Sequence, residues 1–434
     1  MLKNNNIKII LNLEKIAILF RDAERKGFFH LLTANFIIGF LGYGSQLLVS
    51  KFLTPIELGQ IKTMQSFIGV ATILAGFGFN TAVLKLCSEQ RPTDERAYIF
   101  RQSFYYSSIS LSIVLLTFFL LAKSGYLSPD ATINRCLQLY ILTIPAVTVT
   151  SLIMVYLQAL KKIRLMAKVQ IIIRLIGFLI LVSVTYFYGL IGFIISTILI
   201  SYAALIPLLK LVKNDFVSKI KNIHPLSQSV FYAKWSVAAN AIFAIGQYMD
   251  IFMLNYLTKD REGLGYYGIA TILIVGLSYI TTSVQSIATP YFSEKSNDKN
   301  EFLRVLQKYT KLLILLSLGI SIIAFAIIPT FIENFYGNNY ESVGTYFRIL
   351  LLQYFFWSCS ALPGVAILGM GKMKYNFLSV SITLPIALVL SFFFIKFYGI
   401  TGAAIAQALA YFTRMIIVFL MIQHLTKRQL VTIR

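Results

Sequence analysis

The sequence predicts an all-α polytopic membrane protein with twelve transmembrane helices, arranged as two six-helix lobes related by a pseudo-two-fold axis along the membrane normal. Three observations predict it: a charge-poor composition, a succession of apolar runs long enough to cross a bilayer, and a motif written twice. Hydrophobic residues make up 57% of the 434 and charged residues 13%, with a mean hydropathy of +0.75. A soluble domain is about half apolar and about a quarter charged. A hydrocarbon core of about 30 Å takes about 20 apolar residues per helix. Only helices or closed barrels satisfy their backbones in lipid, and these runs are too long and too uniformly apolar for barrel strands of about 10 residues.

The chain divides in order. Residues 1–28 are a cytoplasmic segment whose apolar stretch, IKIILNLEKIAILF, is interrupted by Lys8, Asn12, Glu14 and Lys15. It is no cleavable signal; it reads as a helix lying along the membrane surface or as a mobile tail. The first lobe, 29–212, holds spans at 29–52, 63–86, 102–122, 137–160, 165–187 and 190–209. A cytoplasmic linker, 213–233, leads to the second lobe, 234–424, with spans at 235–257, 266–291, 312–331, 349–370, 375–395 and 400–423. Residues 425–434 form a cytoplasmic tail. With both termini inside, the inner segments collect 29 of the 39 lysines and arginines and the outer face eight, among them Lys62. That bias is the positive-inside rule, and inserting or deleting one span would scramble it.

The formal charge of +22 therefore needs no nucleic acid, since topology and anionic headgroups account for basic inner loops. The three cysteines, Cys87, Cys136 and Cys359, fall on different spans or span ends and show neither disulfide nor metal spacing.

Residues 187–192 read FYGLIG and residues 397–402 read FYGITG, 210 positions apart. The register holds upstream without a gap, pairing Lys162 with Lys372, Ile172 with Ile382 and Ile176 with Ile386. Earlier, FLTPIELG and YLTKDREGLG bring Gly59 opposite Gly265 once two residues are inserted. An even number of spans per repeat leaves both copies in the same orientation, and such parallel repeats hold substrate between them near the midplane.

Polar side chains inside spans face protein or water. Asn35, Gly39, Gly42 and Gln46 share one helical face, as do Gln65, Gly69, Thr72, Gly76 and Asn80. The second lobe repeats the pattern with Asn240, Gln247 and Asp250, then Thr271, Ser278, Thr282 and Gln285. One such stripe suits an ordinary helix contact; four on corresponding helices point to a shared aqueous cavity. Asp250 is a candidate proton or cation coupling site, or a partner that stabilises its lobe. Arg174 and Arg414, well inside their spans, are candidates to hold a phosphate bidentately. Snorkelling of Arg174 to the headgroups, or pairing with backbone carbonyls, is the alternative use.

The segments LTPIELGQIKTMQSFIGVATILAGFGFNTAVLK, FYGNNYESVGTYFRILLL, AILGMGKMKYN and FYGITGAAIAQALAYF resemble the polysaccharide-biosynthesis, O-antigen flippase family (Wzx type). That family belongs to the multidrug/oligosaccharidyl-lipid/polysaccharide exporter superfamily. The resemblance implies two six-helix lobes around a cavity that opens alternately to each side of the bacterial plasma (inner) membrane. It implies translocation of undecaprenyl-pyrophosphate-linked oligosaccharide to the outer leaflet, with membrane lipids and a polysaccharide polymerase as partners. An aspartate at the position of Asp250 is common in similar proteins. No cofactor is expected; proton or sodium coupling is left open. A MATE-like organic cation or drug antiporter is the alternative, though its cavity should be rich in carboxylates. No GxGxxG, HExxH, DxD or Ser-His-Asp constellation stands out, so an enzyme is not expected.

Overall fold

The computed structural model describes residues 28–89, 91–217, 226–294, 299–370 and 372–431. The N-terminal segment read as an interfacial helix lies outside them, as do residues 218–225 of the linker. Twelve α-helices and one short 3-10 turn make up the order, and no strand occurs among the described residues. The first half contains α1 (Phe28–Val49), α2 (Pro55–Gly76), α3 (Phe79–Ser88), α4 (Thr93–Lys123), α5 (Ala131–Tyr140), α6 (Thr143–Ala159) and α7 (Ile163–Val217). The second contains α8 (Leu226–Leu257), α9 (Arg261–Glu294), α10 (Lys299–Tyr336), the turn Asn338–Tyr340, α11 (Glu341–Gly369) and α12 (Met373–Val431). Seven of these are long and apolar enough to cross a membrane, or up to nine with α2 plus α3 and α5 plus α6 each counted as one bent span.

Two helices are too long to be single crossings. At 1.5 Å per residue the 55 residues of α7 and the 59 of α12 would each run about 80 to 90 Å, against a hydrocarbon core of about 30 Å. Both fold back at the doubled motif. Gly189 has φ 55° and ψ −137°, and Gly399 has φ 56° and ψ −132°, a conformation that only glycine adopts without strain. The closing glycine of each motif serves a second purpose. A Cβ on Gly192 would stand 2.3 Å from the Val184 carbonyl oxygen, and one on Gly402 1.9 Å from that of Phe394. Each glycine lets the returning helix pass against the carbonyl eight residues upstream. The repeat in the sequence is thus a repeated helical reversal.

The observed helices overrun the spans read from hydropathy, and the start of α2 matters most. Thr54 Oγ1 accepts from the Glu57 amide at 3.3 Å while the Glu57 carboxylate accepts from the Thr54 amide at 2.8 Å. This capping box, with Pro55 at the first helical position, starts the helix eight residues ahead of the expected 63. Lys62 therefore sits two turns inside a helix and not in an outer loop.

One apolar core joins the halves, combining Val49, Leu58 and Ile61 with Leu254, Leu264, Tyr267, Phe347 and Ile400. Further along the helices it gives way to two separate cores. One gathers Phe79, Phe100, Tyr156 and Leu208 with Ala233 of α8. The other gathers Phe292, Phe302, Leu362 and Val418 in the second half alone. The halves are united at the end carrying residues 50–60 and 255–265, and share less of their interior toward the other end.

Candidate functional site

Lipid tails are as apolar as leucine, so cohesion between the halves rests on close backbone approach and on hydrogen bonds across the seam. At the united end the repeat-related glycines touch. A Cβ on Gly265 would lie 1.8 Å from the Pro55 carbonyl oxygen, and one on Gly59 3.1 Å from the Gly265 amide. Around them Ser128 donates to Asn255 Oδ1 at 2.9 Å, the Tyr256 hydroxyl donates to the Leu127 carbonyl at 2.9 Å, and the Ser50 and Tyr336 hydroxyls share a 2.5 Å bond.

Beneath this closure lies a small cavity of about 20 Å³, room for a single water, lined by Gln46 of α1, Lys62 and Gln65 of α2, Phe193 of α7, and Gly268 and Ile269 of α9. The stem of Lys62 crosses the seam over Gly268, where an added Cβ would stand 2.8 Å from the lysine Cγ. Its ammonium makes no hydrogen bond or ion pair among the described residues. Asp250 is buried, 6% exposed. Its Oδ2 accepts from the Tyr267 hydroxyl at 2.6 Å, while Oδ1 has no hydrogen-bond partner. Gln407 stands beside the carboxylate, and Tyr411 interacts with Asp250, Arg414 and Gln353.

Farther along the seam, two tyrosines of the second half occupy glycine gaps in the first. A Cβ on Gly69 would fall 2.6 Å from the Tyr248 hydroxyl, and one on Gly39 2.8 Å from the Tyr279 ring. Tyr43 packs edge-on against Tyr279 at 5.2 Å. Arg174 turns toward this group, its Nη1 3.7 Å from where a Gly42 Cβ would be, and interacts with Tyr43.

The structure therefore brings Gln46 and Gln65 to the seam cavity and turns Arg174 toward Gly42, whereas no hydrogen bond or ion pair joins Asp250 to Arg414 among the described residues. Gln247 is exposed on α8, and Asn240, also exposed, donates to Ser236 one turn earlier at 3.1 Å. Thr72 donates to the Ile68 carbonyl of its own helix. Asn80 donates to Ser151 inside the first half at 2.9 Å, and Gln285 to the Ala361 carbonyl inside the second at 3.1 Å. The Asn35 side chain lies outside the described residues. The stripes missed Lys62, Tyr248, Tyr279 and Gln407. Lys62 was within reach of the sequence, because Thr54-Pro55-Ile56-Glu57 is a helix-start signature that places it inside the span.

The described residues form an all-helical bundle of membrane-length apolar helices with a polar seam inside it. The chain belongs to the family described as polysaccharide biosynthesis protein, whose model matches residues 48–344. It is 27% identical over 223 residues to a Shigella flexneri protein named "Putative O-antigen transporter", covering 50% of this chain and 51% of that relative. The chain thus matches about half the length of this curated relative. Among solved structures it shares its fold with the lipid II flippase MurJ in an inward closed conformation, with a TM-score of 0.74 and 14% identity over 91% of this chain and 87% of the other. It also resembles an inward-facing multidrug resistance MATE family transporter of the MOP superfamily, with a TM-score of 0.70 and 12% identity over 90% and 95% of the two chains. A MOP superfamily transporter from Pyrococcus furiosus aligns with a TM-score of 0.66 and 12% identity over 92% and 95%.

Proposed function

We propose that the chain is a flippase that carries an undecaprenyl-pyrophosphate-linked oligosaccharide, an O-antigen or capsule-type unit, from the inner to the outer leaflet of the bacterial plasma membrane. In this reading the reversals at Gly189 and Gly399 complete twelve spans in two six-helix lobes, both termini are cytoplasmic, and the united end faces outward. The observation that carries the reading is the placement of Lys62, Gln46 and Gln65 in the seam beneath a closure held by backbone contacts and hydrogen bonds. Family membership supports the polysaccharide class of cargo.

The physical task fits the architecture. A sugar diphosphate cannot cross about 30 Å of hydrocarbon unaided, because desolvating its charges and hydroxyls is prohibitive. The polyprenyl tail needs no shelter. A flippase need only enclose the head between its lobes while the tail stays in lipid. Lys62 and Arg174 would meet the diphosphate, tyrosines and amides the sugars, and rocking of the lobes would expose the head to each side in turn. Asp250, with one free carboxylate oxygen, is the residue for proton or sodium coupling.

The organic cation reading rests on that same free oxygen, but Lys62 in the lining of the seam cavity makes it unwelcoming to a cation. The deciding experiment is complementation of a deletion strain. The wild-type chain restores surface polysaccharide, and Arg174→Ala combined with Arg414→Ala reduces it at equal protein level. Restored efflux of cationic dyes with no effect on polysaccharide would instead favour the antiporter.

A further inference from the structure

The cavity lined by Gln46 and Gln65 has a contact between the halves on either side of it, and the two contacts differ in make. On the side of residues 50–60, backbone meets backbone at Gly59 and Gly265. On the other side, about one turn along α2 from Gln65 and about two turns along α1 from Gln46, a glycine of the first half meets a tyrosine of the second. The Tyr248 hydroxyl lies 2.6 Å from the Cβ position of Gly69, and the Tyr279 ring 2.8 Å from that of Gly39. Tyr43 backs Tyr279 edge-on at 5.2 Å. The nearest atoms at both gaps belong to tyrosine side chains and none to backbone. Beyond the rings, Asn240 and Thr282 are exposed, and polar groups within a span face water or protein.

We propose that Tyr248 and Tyr279 form a side-chain gate that opens by rotation of the rings while Gly59 and Gly265 stay in contact. The resting cavity is then reached by small solutes from the Asn240 side alone. The reason is what has to move. Parting the glycine closure separates whole helices, a motion of microseconds to milliseconds, whereas a side chain with open space beside it changes rotamer far faster. Both tyrosines are half-buried, so each ring has room to leave its gap. A glycine offers the ring no side chain to interlock with, and van der Waals contact alone keeps it seated. The ring also sets a size limit. A solute no larger than the vacated gap enters the closed seam, and a bulkier head enters only when the halves part. The inference concerns the empty seam and holds for any cargo, so its failure leaves the flippase reading standing.

The test uses the full chain with Cys87→Ala, Cys136→Ala and Cys359→Ala, so that Gln65→Cys supplies the single thiol, in membrane vesicles of each orientation. Two impermeant reagents are compared, the small sulfonatoethyl methanethiosulfonate and the bulky fluorescein maleimide. From the Asn240 side the small reagent should label position 65 readily and the bulky one slowly; from the side of residues 50–60 both should be slow. Tyr248→Ala with Tyr279→Ala should raise bulky labelling from the Asn240 side about tenfold or more, as when the open form of a local equilibrium becomes that much commoner. Tyr248→Phe with Tyr279→Phe refills both gaps and should leave it slow. In the same cysteine-free background, Ser128→Cys with Asn255→Cys reads the glycine closure, and its cross-linking should not change with the alanine pair. If the alanine pair does not fold, Gly69→Ala replaces it, since the added methyl displaces the Tyr248 ring and should by itself raise bulky labelling. Bulky labelling that these substitutions leave unchanged overturns the gate, as does small-reagent labelling that is equally slow from both sides. A fall in 128–255 cross-linking also overturns it, by showing that the tyrosines are struts that hold the halves together.

Discussion

The two ends of the seam between the halves are built from different materials. At one end Gly59 and Gly265 press backbone against backbone, hydrogen bonds link Ser128 with Asn255 and Ser50 with Tyr336, and a single apolar core runs through both halves. Toward the other end the shared core narrows to Ala233 and Tyr232 of α8 packed with first-half residues. There Gly78, with φ +72°, lies under the Ala233 carbonyl, and a hydroxyl pair joins Thr81 to Ser236 at 2.6 Å. Ala233 of α8 also packs into the first-half core there, and α2 meets α3 at a 50° bend. The difference teaches where motion is cheap. Close backbone contacts over several helices must break together, whereas one bent crossing can rock.

The largest effect is expected from Gly265→Val. Its side chain would collide with the Pro55 carbonyl, 1.8 Å from the Cβ position, and neither backbone can yield without parting the helices. Cysteines replacing Ser128 and Asn255 should cross-link readily in the wild-type background and poorly beside Gly265→Val. Unaltered cross-linking would mean that the glycine contact does not hold that end. Next come the reversals. Gly402→Ala should lower the melting temperature in detergent, by an amount corresponding to roughly 1 to 3 kcal/mol from overpacking, and Gly399→Ala by about 1 to 2 kcal/mol from its backbone conformation. A melt unchanged in both would detach the repeated motif from the fold.

At the weaker end, Thr81→Ala with Ser236→Ala should cost about 0.6 kcal/mol, the mean for a hydrogen bond within a membrane protein, while leaving the 128–255 cross-link intact. Loss of that cross-link would show the two ends to be coupled more tightly than their contacts suggest. The smallest change is expected outside the bilayer, where Arg91 binds Glu89 and Glu95. Hydrogen bonding to Arg91 holds the Glu89 carboxyl below its ordinary range. A lowered carboxyl pKa adds stability above the unfolded value and loses it as pH falls through the folded one. Glu89→Gln should therefore flatten the acid limb of the melting profile slightly, by roughly 0.2 to 0.5 kcal/mol, the low end for exposed pairs.

How far the sequence disclosed this arrangement differs from element to element. The reversals were legible because glycine at a fixed place carries a backbone demand, and the same demand written twice is a repeat. The correspondence of Gly59 with Gly265 was legible in the sequence, and its physical content, backbone contact between the halves, appears only once both are folded. Helix starts were obscured because hydropathy registers apolar residues and passes over the capping box at Thr54, which cost the reading Lys62. The polar stripes gave the correct helical face in part. Periodicity says that Gln65, Asn80 and Gln285 point sideways from their helices, but not whether the neighbour is the seam, as for Gln65, or a serine or carbonyl of the same half, as for the other two.

The most direct measurement concerns Gln65 beneath the stronger end. With Gln65→Cys in an active chain, a membrane-impermeant maleimide applied from the side bearing residues 50–60 should label slowly in the resting protein. Labelling should accelerate when lipid-linked oligosaccharide is supplied. An equal rate with and without that lipid would contradict a closure that the cargo opens.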